Sequence, residues 1–149
     1  MAEELLTIAQ ASALTGLPES TLRYWERIGL VRSVERDPFS GHRRYSDDDI
    51  RTLETLGNLR AVGMPVADMR RYLADRDRGD EAAADQKSLF RAHARRLDEE
   101  MKALEVRRRY LRLKVRYWSA REMGDFAEAD RIAEQIRPLI GRVNPKETT

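Results

Sequence analysis

A heptad pattern between residues 86 and 118 constrains this chain more than any other feature. One set of side chains recurs every seven residues, and a second set follows four residues after each of the first four: Phe90, Leu97, Leu104, Leu111 and Trp118, then Ala94, Met101, Arg108 and Val115. Neither proline nor glycine occurs between residue 86 and Gly124. The pattern predicts one long helix over residues 86–123, with these side chains forming a coiled-coil stripe, the heptad seam.

A chain of 149 residues has too small a core to bury this seam against itself, since a helix of roughly 35 residues is about 50 Å long. We therefore expect a homodimer, and folding back of a short last helix is the alternative. Arg108 would interrupt the seam, and we expect it to pair with Glu100 or Glu105 of the partner subunit, because an unpaired charge there is costly. The predicted dimerisation residues are Phe90, Leu97, Met101, Leu104, Arg108, Leu111, Val115 and Trp118.

Two short helices joined by a turn are predicted near the N-terminus. Thr7 is a candidate N-cap, Gly16 suits the end of the first helix, and Pro18 suits the start of the second, which runs from Glu19 to about Ile28. This arrangement is typical of a helix-turn-helix. The second helix has an apolar side for packing and a polar side of the kind that reads DNA, although an ordinary amphipathic surface helix would look similar.

Residues 31–45 predict a β-hairpin wing, because the turn formers Asp37, Pro38, Ser40 and Gly41 separate two short polar segments. Between Arg23 and Tyr45 six arginines face three acidic residues, a local net charge of +3. A basic wing beside a basic helix favours two contacts on one nucleic-acid backbone; a solvated hairpin is the alternative. The candidate DNA-binding residues are Ser20, Thr21, Arg23, Tyr24, Arg27, His42, Arg43, Tyr45 and Arg60.

The remaining segments complete a mainly α fold. Ser46 and the three aspartates after it predict a capped third helix; consecutive carboxylates point about 100° apart and do not converge on a metal. We expect a winged helix-turn-helix domain over residues 1–76, a linker over 77–85, the dimerisation helix over 86–123, and a short C-terminal helix with a frayed tail over 124–149. The aromatic residues Tyr110, Tyr117, Trp118 and Phe126 could line an effector pocket or cap the coiled coil.

Composition excludes several functions. The chain has no cysteine, which removes disulfides, thiolate metal sites and cysteine nucleophiles. Only two histidines are present, and no glycine-rich phosphate loop or nucleophile motif accompanies them, so we expect neither an enzyme nor a cofactor or metal. No apolar run is long enough for a membrane helix and no signal pattern begins the chain, so we expect a cytoplasmic protein without membrane contact.

These motifs together resemble the MerR family of transcription regulators. TIAQASALTGLPESTLRYWERIGLV resembles its N-terminal helix-turn-helix, and GHRRYSDDDI is similar to the end of its wing and the start of its third helix. LRAVGMPVADMRRYL resembles the helix pair that follows, and the long helix comes where the family has one. The resemblance covers about residues 5–120.

The resemblance implies a homodimer with an antiparallel coiled coil, which binds a pseudo-palindromic operator in a promoter and bends and untwists it. RNA polymerase would respond indirectly, through the DNA. By the same resemblance, Arg23 contacts a base, Tyr24 a phosphate and Arg43 the backbone from the wing, with Gly41 at the tight wing turn. His42 stands where many members have tyrosine.

The main departure from the family concerns sensing. Metal-sensing members use cysteines, and in the aldehyde-sensing subgroup the reactive cysteine would align near Asn58, which has no thiolate chemistry. A non-covalent effector, a partner protein or no effector remains. Besides a promoter-binding regulator, the sequence leaves open a DNA-architectural or recombination-directionality protein with the same winged fold.

Overall fold

The computed structural model describes residues 4–32 and 34–145, with only the backbone of Arg43. It divides the chain into two compact units, of which the first ends at Leu89 and the second begins at Phe90. Each unit has its own apolar core. The mainly helical fold, with one small strand pair and one long helix, agrees with the sequence prediction.

The first unit opens with two short helices, α1 at Ile8–Thr15 and α2 at Glu19–Arg27. Thr7 caps α1 as predicted: its hydroxyl accepts a hydrogen bond from the Gln10 amide at 3.2 Å, and the Gln10 side chain accepts one from the Thr7 amide at 2.8 Å. Gly16, at φ 71°, ends the helix in the left-handed region that glycine occupies without strain. The helix-turn-helix connection therefore follows from local signals.

The wing consists of two antiparallel strands, β1 at Glu35–Arg36 and β2 at Arg43–Arg44, with Glu35 opposite Arg44. Tyr45 continues this pairing to the segment before α1, because its backbone exchanges hydrogen bonds of 2.8 and 2.7 Å with Leu6. The base of the wing is thereby tied to the N-terminal segment.

Two longer helices follow, α3 at Asp47–Ala61 and α4 at Val66–Arg78. Ser46 caps α3 as predicted, since its hydroxyl accepts from the Asp49 amide at 3.1 Å while the Asp49 carboxylate accepts from the Ser46 amide at 3.0 Å. The core of this unit joins all four helices to the base of the wing through Ala11, Leu17, Leu22, Trp25, Leu30, Val34, Tyr45, Ile50, Leu53, Leu56, Leu59, Met64, Met69 and Leu89.

Residues 77–85, predicted as a linker, are largely helical in the structure. Helix α4 continues to Arg78, a 3-10 turn spans Gly79–Ala82, and the long helix α5 occupies Ala83–Glu122. Arg78 stabilises this junction, because its guanidinium lies 3.1 Å from Asp75 and 3.2 Å from Asp85. Hydrogen bonds to Asp85 and Asp75 raise the pKa of Arg78. Within the predicted linker, Arg78 and Asp85 thus form an ion pair across the junction between α4 and α5.

The second unit forms where the chain folds back on the end of α5. Helix α6 spans Phe126–Ile136, a 3-10 turn spans Arg137–Leu139, and a single further turn, α7, spans Ile140–Val143. Pro138 lies inside the 3-10 turn, and the chain stays helical beyond it to Val143. The core of the unit comprises Leu113, Ala120, Ala129, Ile132, Ile136 and Leu139, with Tyr110, Tyr117 and Val143 packed against it.

The C-terminal helices cover one face of α5 and leave the heptad seam on another. Leu113 is buried in the core of the unit, whereas Leu111 and Val115, two residues to either side, are 62% and 68% exposed. Two residues on a helix differ in direction by about 200°. The last helices therefore do fold back on α5, but they pack against the face that carries Leu113 and leave the seam uncovered.

Candidate nucleic-acid interface

Helix α2 presents the two faces that a recognition helix needs. Leu22 and Trp25 are buried in the core of the first unit, and Ile28 packs against it. The candidate contact residues lie on the other side: Ser20, Arg23, Tyr24 and Arg27 are exposed, and Thr21 is half-buried. The outer face therefore offers short hydroxyls and long donors to a groove of duplex DNA.

The two arginines of this face are each held by a neighbour on α2. Arg23 forms an ion pair with Glu19, one turn earlier, at 3.1 Å. The guanidinium of Arg27 lies over the Tyr24 ring, 5.3 Å from its centroid, which is within the range of a cation–π interaction. Both contacts reduce the number of conformations that the long side chains sample.

The tip of the wing is a tight turn organised by Asp37. Its carboxylate accepts hydrogen bonds from the amides of Phe39 at 2.9 Å and Ser40 at 2.8 Å, and Gly41 follows at φ 71°. These backbone donors, with Ser40 the larger contributor, hold the pKa of Asp37 below its ordinary value; Arg44, 3.5 Å away, adds a smaller effect in the same direction. The Asp37 carboxylate therefore holds the backbone of the turn in one conformation.

The residues of the returning strand have different environments. His42 is exposed beside the turn, and Arg44 is half-buried and bound to Asp37. The Arg43 backbone pairs with Arg36, but the Arg43 side chain lies outside the described part of the structure. Tyr45 is only 2% exposed and belongs to the core, so it supports the wing from inside and we omit it from the proposed contact set.

Arg60 lies on the exposed side of the last turn of α3. Its contact with a phosphate stays a prediction.

Arg70 has a structural role that the sequence analysis did not identify. The Arg70 guanidinium donates a hydrogen bond to the carbonyl oxygen of Ile28, directly after the end of α2. The two residues are 42 positions apart, so no local pattern relates them. Arg70 thus connects α4 to the end of the candidate recognition helix.

The predicted aromatic cluster lies in the second unit. Tyr110 and Tyr117 pack against the core of that unit, and the ammonium of Lys114 lies 5.6 and 5.9 Å from their ring centroids. The Tyr117 and Trp118 rings make an edge-to-face contact at 5.2 Å. Trp118 and Phe126 are 61% and 58% exposed, and Arg121 lies over the Phe126 ring. Half of the cluster is therefore open to solvent in a single chain.

Within residues 4–32 and 34–145, the structure contains no group of three or more histidine, cysteine, aspartate or glutamate side chains arranged to hold a metal ion. In the same residues, no helix combines the length and apolar character needed to cross a membrane.

Two known family models match this chain. The family model described as MerR HTH family regulatory protein matches residues 6–76, which include α1 to α3, the wing and most of α4. A second, described as MerR, DNA binding, matches residues 50–113. The HTH-type transcriptional regulator HmrR of Rhizobium leguminosarum bv. viciae is 35% identical over 106 residues, covering 71% of this chain and 81% of that protein. The chain belongs to the MerR family.

Two further proteins are similar to this chain over most of its length. Heavy metal-dependent transcription regulator 2 of Rhizobium meliloti (strain 1021) is 28% identical over 144 residues and covers 95% of each chain. The crystal structure of HiNmlR, a MerR family regulator lacking the sensor domain, bound to promoter DNA, has a TM-score of 0.60 and 28% identity, covering 80% of this chain and 95% of that one. This MerR-family protein is a DNA-binding transcription regulator and not an enzyme.

Proposed function

We propose that this MerR-family regulator is a homodimer that binds a pseudo-palindromic promoter operator and distorts it, acting on RNA polymerase through the DNA. The observation that carries the proposal is that one chain has both an exposed recognition face on α2 and an uncovered heptad seam on α5. The first surface supplies contacts to one half-site. The second supplies the means to bring two such surfaces together.

The exposed seam supports the dimer. Its large apolar side chains are between 41% and 68% exposed in the single chain, namely Phe90, Leu97, Met101, Leu104, Leu111, Val115 and Trp118. Burying one such side chain contributes about 1.5–3 kcal/mol. A second copy of α5 has the length and the heptad spacing to cover them all, because the same seam occurs on both copies.

The charges along α5 favour an antiparallel pair. Residues 98–105 carry four acidic side chains and one lysine, whereas residues 107–121 carry seven basic side chains and no acidic ones. A parallel pair would place the basic stretch beside its own copy, while an antiparallel pair centred on Leu104 places Arg107, Arg108 and Arg109 beside residues 99–101 of the partner subunit, which include two glutamates. In the single chain Arg108 pairs with its own Glu105, and contact with a glutamate of the partner subunit stays a prediction.

A two-fold dimer requires two inverted half-sites, because its recognition helices are related by the same two-fold axis as the DNA. We assign base readout to Arg23, together with Ser20 and Thr21, because arginine donates two hydrogen bonds to guanine in the major groove. Tyr24, Arg27, His42, Arg43 and Arg60 are assigned to phosphates, which set register and orientation. Because its ligand is promoter DNA, we place the protein in the bacterial cytoplasm.

The signal that controls the regulator differs from that of metal-dependent relatives. This chain contains no cysteine, and in the position near which the aldehyde-sensing subgroup has its thiol it carries the exposed Asn58. We therefore propose no response that acts through sulfur. We propose that Tyr110, Tyr117, Trp118 and Phe126 either hold a small effector without a covalent bond beside the dimer interface or cap the coiled coil.

Selection of bound duplexes from a random-sequence pool tests the function. The regulator should enrich two inverted copies of one short sequence at a fixed spacing. Enrichment of a single unrepeated site would contradict the dimeric operator. Binding that coats every duplex equally would contradict sequence-specific regulation and favour a DNA-architectural protein.

A further inference from the structure

The most exposed large apolar side chain among those that the structure describes is Phe39, at the tip of the wing, with 96% of its surface accessible. In the free protein, almost all of the apolar surface of this phenyl ring is in contact with water. Aromatic rings of this size are among the largest contributors to interfaces when they become buried. Phe39 was not among the residues that the sequence indicated as DNA contacts.

The turn that carries Phe39 is held in one conformation. The Phe39 amide donates to the Asp37 carboxylate at 2.9 Å, and the Gly41 amide donates to the Asp37 carbonyl oxygen at 2.8 Å. The Asp37 amide donates to the His42 carbonyl oxygen at 2.7 Å, which closes the hairpin. The ring therefore projects from a fixed backbone, and little conformational entropy is lost when it is buried.

The surroundings of the ring are basic and continuous with the recognition domain. Arginines occupy positions 36, 43 and 44 on the two strands below it, and His42 is exposed next to the turn. Val34 and Tyr45, at the base of the wing, share one core with Leu22 and Trp25 of α2. The wing and the recognition helix are therefore fixed to the same rigid unit. A polyanion that binds the recognition helix can also contact the wing.

We propose that Phe39 is a DNA contact, and that its ring enters the minor groove at the edge of each half-site and packs on the deoxyribose walls. The inference rests on the proposed function and extends it. Duplex DNA is the occupant that combines the two properties found here, since its phosphates suit the arginines and its sugars offer apolar surface between them. Apolar side chains that enter the minor groove also favour bending of the duplex.

An apolar contact has a signature that separates it from the arginine contacts. Each phosphate that a basic side chain neutralises releases counterions, so losing such a contact reduces the salt dependence of binding. Losing Phe39 should weaken binding and leave the salt dependence unchanged. The fold should tolerate the loss, because the ring packs against almost nothing in the free protein.

The test compares Phe39→Ala, Phe39→Leu and, as a control that removes an exposed apolar side chain elsewhere, Ile140→Ala. Phe39→Ala should weaken binding to the selected operator about a hundredfold, since each of the two rings contributes roughly tenfold, with Phe39→Leu intermediate and Ile140→Ala unchanged. Hydroxyl radicals cleave at deoxyribose, so Phe39→Ala should also lose protection at two symmetric positions in the minor groove. The thermal unfolding midpoint should stay at the wild-type value in all three variants.

Wild-type affinity and an unchanged hydroxyl-radical pattern for Phe39→Ala would overturn the proposal. So would unchanged DNA binding combined with a loss of transcriptional control, because the ring would then contact a protein. Failure of the proposed function would look different, since the wild-type protein itself would then fail to enrich two inverted copies of one sequence.

Discussion

Glu19 and Arg23 lie one turn apart on α2 and form an ion pair at 3.1 Å, with half of the Arg23 side chain exposed. The carboxylate holds the guanidinium on the outer face of the helix, where it would meet a base edge. We predict that Arg23→Ala loses about 1–3 kcal/mol of operator binding and no longer discriminates at one base pair in each half-site. Binding to the operator and to single-base variants of it measures both effects.

The second unit provides a matched control for Arg23→Ala. Arg137 pairs with Glu134 at 3.0 Å, also on an exposed helical surface. Arg137→Ala should leave operator discrimination intact. If Arg23→Ala weakened binding to the operator and to random DNA equally, Arg23 would be a backbone contact and the proposed register of α2 would be incorrect.

Arg70 should contribute to both stability and binding, because it connects α4 to the carbonyl oxygen of Ile28. Arg70→Met keeps the aliphatic stem and removes the donor. We expect the free energy of unfolding to fall by about 1 kcal/mol and operator affinity to fall with it, since the end of α2 loses a fixed partner. Denaturant unfolding and DNA titration on the same samples test this.

The control for Arg70 is its neighbour Arg71, which lies 3.8 Å from Asp75. Asp75 keeps its contact with Arg78 when Arg71 is replaced. Equal behaviour of Arg70→Met and Arg71→Met would show that the Ile28 contact has no role.

Acid should loosen the wing tip. The folded-state pKa of Asp37 lies below its ordinary value of 3.8, chiefly because the Ser40 and Phe39 amides donate to the carboxylate. The stabilisation of the turn is therefore present above that ordinary value and is lost as the pH falls through the lowered folded-state pKa. Titration followed by NMR should give a midpoint below 3.8 for Asp37, with the Phe39 and Ser40 amide signals moving at the same pH.

Asp37→Asn separates the charge from the hydrogen bonds, since the amide oxygen still accepts from the same two donors. In this variant the Phe39 and Ser40 amides should show no transition in that pH range. A transition that persists in Asp37→Asn would assign the effect to another group.

Leu104 lies at the centre of the heptad seam and is 58% exposed in the single chain. Leu104→Glu should dissociate the dimer, because it places two carboxylates within an apolar interface that contributes about 1.5–3 kcal/mol for each large side chain. Light scattering after size exclusion should report a mass near 17.3 kDa for this variant. Operator binding should fall in parallel.

Ile140 is also 58% exposed and lies off the seam, so Ile140→Glu is the matched control and should remain dimeric. A stable dimer for Leu104→Glu would contradict dimerisation through the heptad seam. Dissociation of both variants to the same extent would mean that the effect is not specific to the seam.

Much of the fold could be predicted because its signals are local. The Thr7 and Ser46 caps, the turn at Gly16 and the two faces of α2 each depend on residues a few positions apart, and the structure has them as expected. The heptad spacing likewise predicted the long helix. Helix α5 begins earlier than predicted, at Ala83, and the ion pairs of Arg78 join its start to α4.

What could not be predicted depends on contacts distant in sequence. Strand β2 has only two residues, so the alternation of side chains along it could not predict that Tyr45 is buried in the core. The backbone pairing of Tyr45 with Leu6, 39 positions earlier, fixes this position. The contact between Arg70 and Ile28 has no local signature. The heptad pattern also could not show that α5 has a second apolar face, which α6 covers at Leu113.

The stoichiometry of the complex tests the central claim most directly. Sedimentation equilibrium of the wild-type protein with the selected operator duplex should give two chains on each duplex, with no species that holds a single chain at saturation. One chain on each duplex at saturation, or a protein that stays monomeric at every concentration, would contradict the paired recognition helices on which the account depends.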